Sequence, residues 1–167
     1  MSEPVGRHER KIKRFAERRA RLADLADEIA PMAGKSLDDN DVRMILAAIV
    51  RRWTTTVEVV YWSDAARKKG SQVHVEHVVP VRLLVDRMIQ YPRTSKTLLR
   101  KCVVVAKVTA AEHRKIGSLV GANAQLYETM KTKTCRIDEI VGVAWKRYTD
   151  HGIVVTDEDG RKPRTKR

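Results

Sequence analysis

Along residues 7–30, RHERKIKRFAERRARLADLADEIA, apolar side chains recur three, four and seven positions apart with no Gly or Pro between them. This spacing predicts an amphipathic helix, stopped by Pro31 and Gly34. In SLDDNDVRMILAAIVRRW, Ser36 stands three residues before Asp39 in the manner of a capping box, and Val42, Ile45, Leu46 and Ile49 fall on one helical face. A second helix is expected there. TTTVEVVYWSDAARKKG mixes β-branched residues with Trp53, Val57 and Tyr61 at four-residue spacing, and reads as a continuation of that helix. After Gly70 the period drops to two: in SQVHVEHVV, Val73 and Val75 alternate with His74 and Glu76, a strand that Pro80 closes.

The remainder alternates in the same way. VRLLVDRMIQY predicts a short helix ended by Pro92, TSKTLLRK a further turn or two, and CVVVAKV, residues 102–108, a second strand. Thr109 and Glu112 then form T-A-A-E, a capping box that opens a helix at Ala110 and puts His113 in its first turns. A last helix is expected over RIDEIVGVAWKRYTDHG, with Trp145 in its apolar stripe and Gly152 at its stop. The pattern is that of a mostly helical α+β chain. It divides into a basic N-terminal helix or arm (1–35), one folded domain (36–157) and a basic tail expected to be disordered (158–167).

Composition narrows this picture. The chain has 167 residues, 43% of them apolar, enough for one core without staples. Its two cysteines, Cys102 and Cys135, form no CxxC pair, so neither a zinc ribbon nor a disulfide scaffold is indicated. No apolar run approaches the ~20 residues that span a bilayer, and a soluble cytoplasmic protein is expected. Net charge is +13, which makes polyanions the natural partners. Eight Lys/Arg lie between Arg7 and Arg21 and five between Arg161 and Arg167, whereas residues 22–160 are nearly balanced. Lys11, Lys13, Arg14 and Arg18 are therefore candidate phosphate contacts, of a kind that is salt-sensitive and blind to sequence. The apolar stripe of the first helix, with Ile12 and Phe15, is thin for a membrane anchor.

The chemistry-bearing stretch is QVHVEHVVPVRLL, residues 72–84. Strand, helical segment, strand, capped helix is an order that brings Glu76 and His77, at a strand end, toward His113, at a helix start. VEHVVP resembles the opening of the HNH, or ββα-metal, nuclease motif, and VTAAEHRKI resembles the histidine-bearing helix that closes it. The resemblance covers residues 72–118. It implies a ββα-metal core with helical additions at both ends and a metal-dependent endonuclease acting on DNA. Residue by residue, it implies that Glu76 and His113 hold a divalent ion and that His77 is the general base.

Phosphodiester hydrolysis needs a deprotonated water and a cation to offset charge on the phosphate, and an imidazole titrates in the right range to supply the base. A His/carboxylate shell with open positions suits Mg²⁺ or Mn²⁺, while imidazole also accepts Zn²⁺ or Ni²⁺. Arg82 and Lys115 are near enough in sequence to touch a phosphate, and His74 shares a strand face with Glu76. The family's middle Asn or His has no counterpart in LLRKCVVVAKVT, residues 98–109. H-x-E at residues 74–76 also matches half of a zinc-deaminase signature, but the required P-C-x-x-C is absent. A non-catalytic basic nucleic-acid-binding protein, or a nuclease directed at RNA, would share the same charge pattern.

Overall fold

The computed structural model describes residues 5–57, 59–68, 72–118 and 120–163. Gly70, read above as the break before the strand, and the last basic residues, 164–167, lie outside them. Helix α1 (Val5–Ile29) runs into a 3-10 turn at Ala30–Met32 that begins with Pro31 in its first turn. Gly34 follows with a φ of 65°, the left-handed conformation that favours glycine. Arg10, Lys11, Lys13 and Arg14 in the first half of α1 are exposed, while Ala23, Ala26 and Ala30 are buried where the helix packs on α2 (Asp39–Thr54) and α4 (Ser95–Cys102). Lys96 of α4 reinforces that contact with Asp24 and Asp27 at 3.0 and 3.3 Å. The N-terminal segment is thus an arm only in its first half.

Helix α2 starts two residues later than the Ser36 signal suggests. Asp38 is its N-cap and accepts a 2.7 Å hydrogen bond from the Asn40 amide. The helix also ends sooner than expected, and the residues read as its continuation form strand β1 (Val60–Ser63). Two threonines decide this. Thr55 Oγ1 donates to the Arg52 carbonyl and Thr56 Oγ1 to that of Trp53, satisfying terminal acceptors with side chains. Beyond them the β-branched Val57, Val59 and Val60 favour an extended chain.

Strand β2 (Val73–His77) ends at Val78 and Val79, and Pro80 caps α3 (Val81–Gln90). A 3-10 turn (Pro92–Thr94) and α4 lead to β3 (Val105–Thr109), α5 (Ala110–Ser118), α6 (Val120–Lys131), α7 (Ile137–Thr149) and β4 (Val155–Thr156). Neither α6 nor β4 was anticipated. Helix α6 contains Gly121 and Asn123 and buries Leu126 and Met130, too short an apolar series to register as a stripe, and β4 is two residues long.

Among the described residues, four strands form one mixed sheet in the order β2-β3-β1-β4. Strands β2 and β3 pair antiparallel with Glu76 opposite Ala106 and His77 opposite Val105, and α5 follows β3 directly and packs on both. On its other side β3 pairs parallel with β1, placing Tyr61 opposite Ala106. The antiparallel pair β2–β3 and the helix α5 after it are part of a larger sheet, and α3 and α4 separate the two strands along the chain. The core lies between the sheet's inner face and the helices, around Leu46, Leu84, Leu98, Ile140, Trp145 and Tyr148. Among the described residues, no helix is long and apolar enough to cross a membrane.

Candidate active site on the inner face of β2

The position of His113 is set by the start of α5. The Thr109 amide donates to Glu112 Oε2 at 2.8 Å, and the Glu112 amide donates back to Thr109 Oγ1 at 3.3 Å, which is the reciprocal capping box. The same Glu112 oxygen accepts 2.6 Å from Ser63 Oγ at the end of β1. One carboxylate therefore ties together the end of β1, the end of β3 and the first turn of α5. His113, the next residue, is held over β2.

Successive side chains of a strand point to opposite faces. His74 and Glu76 of β2 lie on the face shared with the buried Ala106 and Val108 of β3, which they oppose in register. His113 meets both. Its Nδ1 is 2.7 Å from Glu76 Oε2, and its ring lies parallel to that of His74, 7° between planes and 5.5 Å between centroids. Glu76 is sunk into the molecule, with its side chain 14% exposed against 48% for His113.

Beneath Glu76 sits Arg147 of α7, 3% exposed. Its Nη1 donates to the Val78 carbonyl at 3.0 Å, and its Nη2 is 3.9 Å from Glu76 Oε1. Burial pulls the Arg147 guanidinium below its ordinary pKa, opposed by the nearby Tyr148 and Glu76. The adjoining Tyr148 hydroxyl is buried as well. Desolvation drives its pKa upward, and the charge of Glu76 pushes the same way. Neither the Tyr148 hydroxyl nor Arg147 Nε has a hydrogen-bond partner among the described residues, so this polar layer under the carboxylate is incompletely satisfied, a costly condition in an interior.

His77 departs from the expected constellation. The alternation that turns Glu76 inward turns His77 the other way, toward the end of α2, where its Nε2 is 2.8 Å from Thr54 Oγ1. Thr54 Oγ1 donates its single proton to the Val50 carbonyl at 3.0 Å, so the bond to His77 is best satisfied with Nε2–H as donor. Burial lowers the His77 pKa below its ordinary 6.5, and the positive charge of Arg51 adds to the effect. The imidazole that shares the face of Glu76 and His113 is that of His74.

Of the expected phosphate contacts, Lys115 is exposed on α5 two residues beyond His113, and Lys11, Lys13, Arg14 and Arg18 are exposed on α1. Arg82 is exposed on α3 at a cleft of about 1130 Å³ between α2, α3 and α6, lined also by Arg43, Arg51 and Lys131. Arg43 pairs there with Asp86. Trp145 is core, as expected. Two residues that build the site were not singled out from the sequence. Arg147 occupies the core stripe of α7 after Ile140 and Ala144 at i, i+4, i+7, and a charge at such a position was the available signal. Ser63 offered none.

No protein-family model, no curated protein and no solved structure matches the chain. Among the described residues, no group of three or more His, Cys, Asp or Glu side chains is arranged to hold a metal ion. Glu76 and His113 are a two-donor pair. Two cis ligands at ~2.1 Å from an ion are ~3.0 Å apart, close to the 2.7 Å between Nδ1 and Oε2. As it stands the 2.7 Å contact is a hydrogen bond between imidazole and carboxylate, and an ion held by these two donors would have to take its remaining ligands from water and substrate, as Mg²⁺ and Mn²⁺ can.

Proposed function

We propose that this protein is a metal-dependent endonuclease that hydrolyses phosphodiester bonds in DNA, as its resemblance to the HNH nucleases implies, with Glu76 and His113 as the ion's protein ligands. The observation that supports this is the 2.7 Å approach of His113, at a helix start, to Glu76, on an antiparallel strand 37 positions earlier. When bound, the ion would supply charge for the transition state at the phosphate. The chain's own residues do the rest. Arg147 lies against Oε1 of Glu76 and leaves Oε2 on the side of His113. His74, packed beside His113 on the same face, takes the role of general base that the resemblance gave to His77. The exposed Arg82 and Lys115, with the basic half of α1, hold the flanking phosphates.

The test is relaxation of supercoiled plasmid in Mg²⁺ or Mn²⁺ by the full chain. Cleavage is expected to require the metal, to disappear in Glu76→Ala and His113→Ala, and to fall by roughly 10²–10⁴-fold in His74→Ala, with DNA binding retained in all three. His77→Ala should cleave within a few-fold of the parent. Loss of cleavage in His77→Ala with an active His74→Ala would overturn the assignment of the base. The net charge of +13 also favours a second reading, a binding protein without catalysis. Salt-sensitive DNA binding with no product in any metal would establish it.

A further inference from the structure

Away from β2, a pocket of about 760 Å³ opens between α1, α7, the start of β1 and the segment after β4. Neither Glu76 nor His113 lines it. Its floor is aromatic and aliphatic: Trp53 and Trp145, 5% and 4% exposed, with Val57 and Tyr61. Tyr61 meets Trp145 edge-on, with 5.0 Å between centroids and 74° between planes, which fixes the floor as one surface. Val59 at the lip is 48% exposed. The rim is cationic, with Arg100, Arg161 and Lys162 against the carboxylate of Asp157, while Arg19, also at the rim, donates to Thr56.

That carboxylate is engaged elsewhere. Asp157 Oδ1 accepts the backbone amides of Asp159 and Arg161 at 3.0 and 2.8 Å, closing the turn that carries Arg161 and Lys162 to the rim. Arg161 is paired with Asp159 at 3.1 Å, whereas Arg100 and Lys162 form no salt bridge among the described residues. The pocket thus combines an apolar floor, several cations able to receive phosphate oxygens, and a volume in the ~300–1,000 Å³ range of small-ligand sites. Two of those cations, Arg100 and Arg161, are arginines, whose planar fork matches a phosphate and stacks on rings.

We infer that this pocket binds a nucleotide unit, its base against Tyr61, Val57 and Val59, over the buried tryptophans, and its phosphate among Arg100, Arg161 and Lys162. A divalent cation is excluded by the rim's charge. An acidic peptide would satisfy the cations but leave the aromatic floor without a flat partner, whereas a nucleotide satisfies both. The unit is either a free mononucleotide or one residue of a single strand. The site shares no residue with the Glu76–His113 pair, and it stands whether or not that pair is catalytic.

Two of the three tryptophans line the pocket, so intrinsic fluorescence reads its occupancy. The full chain, in EDTA to exclude hydrolysis, is titrated with adenosine 5′-monophosphate, ribose 5-phosphate, a 5′-phosphorylated oligodeoxyadenylate and tetraglutamate. Saturable quenching by the mononucleotide or the oligonucleotide is expected. It should weaken about tenfold in Arg100→Glu and likewise in Lys162→Glu, and be unchanged in Glu76→Ala. Quenching by the mononucleotide and oligonucleotide alike marks either source as acceptable, and by the oligonucleotide alone marks a strand. The inference is overturned by absence of quenching with both, by equal binding of ribose 5-phosphate, by tighter binding of tetraglutamate, or by indifference to both rim substitutions.

Discussion

Strands β2 and β3 lie side by side in antiparallel register and treat their two faces in opposite ways. Strand β3 turns Ala106 and Val108, both fully buried, toward the helices and keeps the half-buried Lys107 and Thr109 on the other side, with Val105 buried there at the strand's start beside His77. Strand β2 turns His74 and Glu76 inward and leaves Val73 and Val75 outward, 37% and 56% exposed. A sheet covered on one face ordinarily buries the apolar set. The inward carboxylate gains nothing from the hydrophobic effect and costs several kcal/mol to desolvate unless paired. What makes β2 tolerable is the local pairing, His113 on Oε2 and Arg147 near Oε1. A one-residue slip would put valines inside and be the more stable choice by hydrophobicity alone. The register observed is the one that brings an acid and two imidazoles together.

Breaking the pairing should have the largest effect. Arg147→Leu removes the cation beside Glu76 and the donor to the Val78 carbonyl, and should destabilise the fold by about 3–5 kcal/mol in urea titration, since it leaves Glu76 with His113 alone and a buried carbonyl without its donor. The double change Glu76→Leu/Arg147→Leu should recover most of that loss, because an apolar pair of similar volume needs no partner. If the double variant is as unstable as the single one, the cost attributed to β2's inner face is wrong.

The opposite side of β2 sets a smaller, pH-dependent effect. With the His77 pKa held below 6.5 by burial and by Arg51, the unfolded chain binds the proton more readily than the folded one. The sign follows from linkage: stability is fully present above pH 6.5 and declines as pH falls through the folded value. Thermal unfolding between pH 8 and 5 should show a shallower decline in His77→Asn than in the parent. A slope unchanged by the substitution would deny that His77 is protected there. Smallest of all, Val75→Thr on the exposed outer face should move stability by less than about 0.5 kcal/mol.

Much of this arrangement was legible from residues alone. The two-residue period of VHVEH, the T-A-A-E capping box and the helical stripes point to β2, α5 and the helices α1, α2, α3 and α7, though not to α6, because each is a local signal with a mechanical cause. The nearness of Glu76 to His113 was legible through the order of elements. The direction in which His77 points was not, since a period of two says which side chains share a face but cannot say that consecutive ones cooperate at a strand's end. β1 was misread because Trp53, Val57 and Tyr61 mimic helical spacing, while the threonine hydroxyls that end α2 act through carbonyls no pattern displays. Arg147 showed only as a charge in the core stripe of α7, a signal that does not say what lies opposite.

The claim on which the functional reading turns is that Glu76 and His113 together hold one cation. Titration of the full chain with Mn²⁺, followed by the loss of the free ion's EPR signal, measures it without reference to activity. One ion per chain is predicted, with affinity lost in both Glu76→Ala and His113→Ala and retained in His77→Ala. No bound ion in the parent, or binding indifferent to both substitutions, would contradict it.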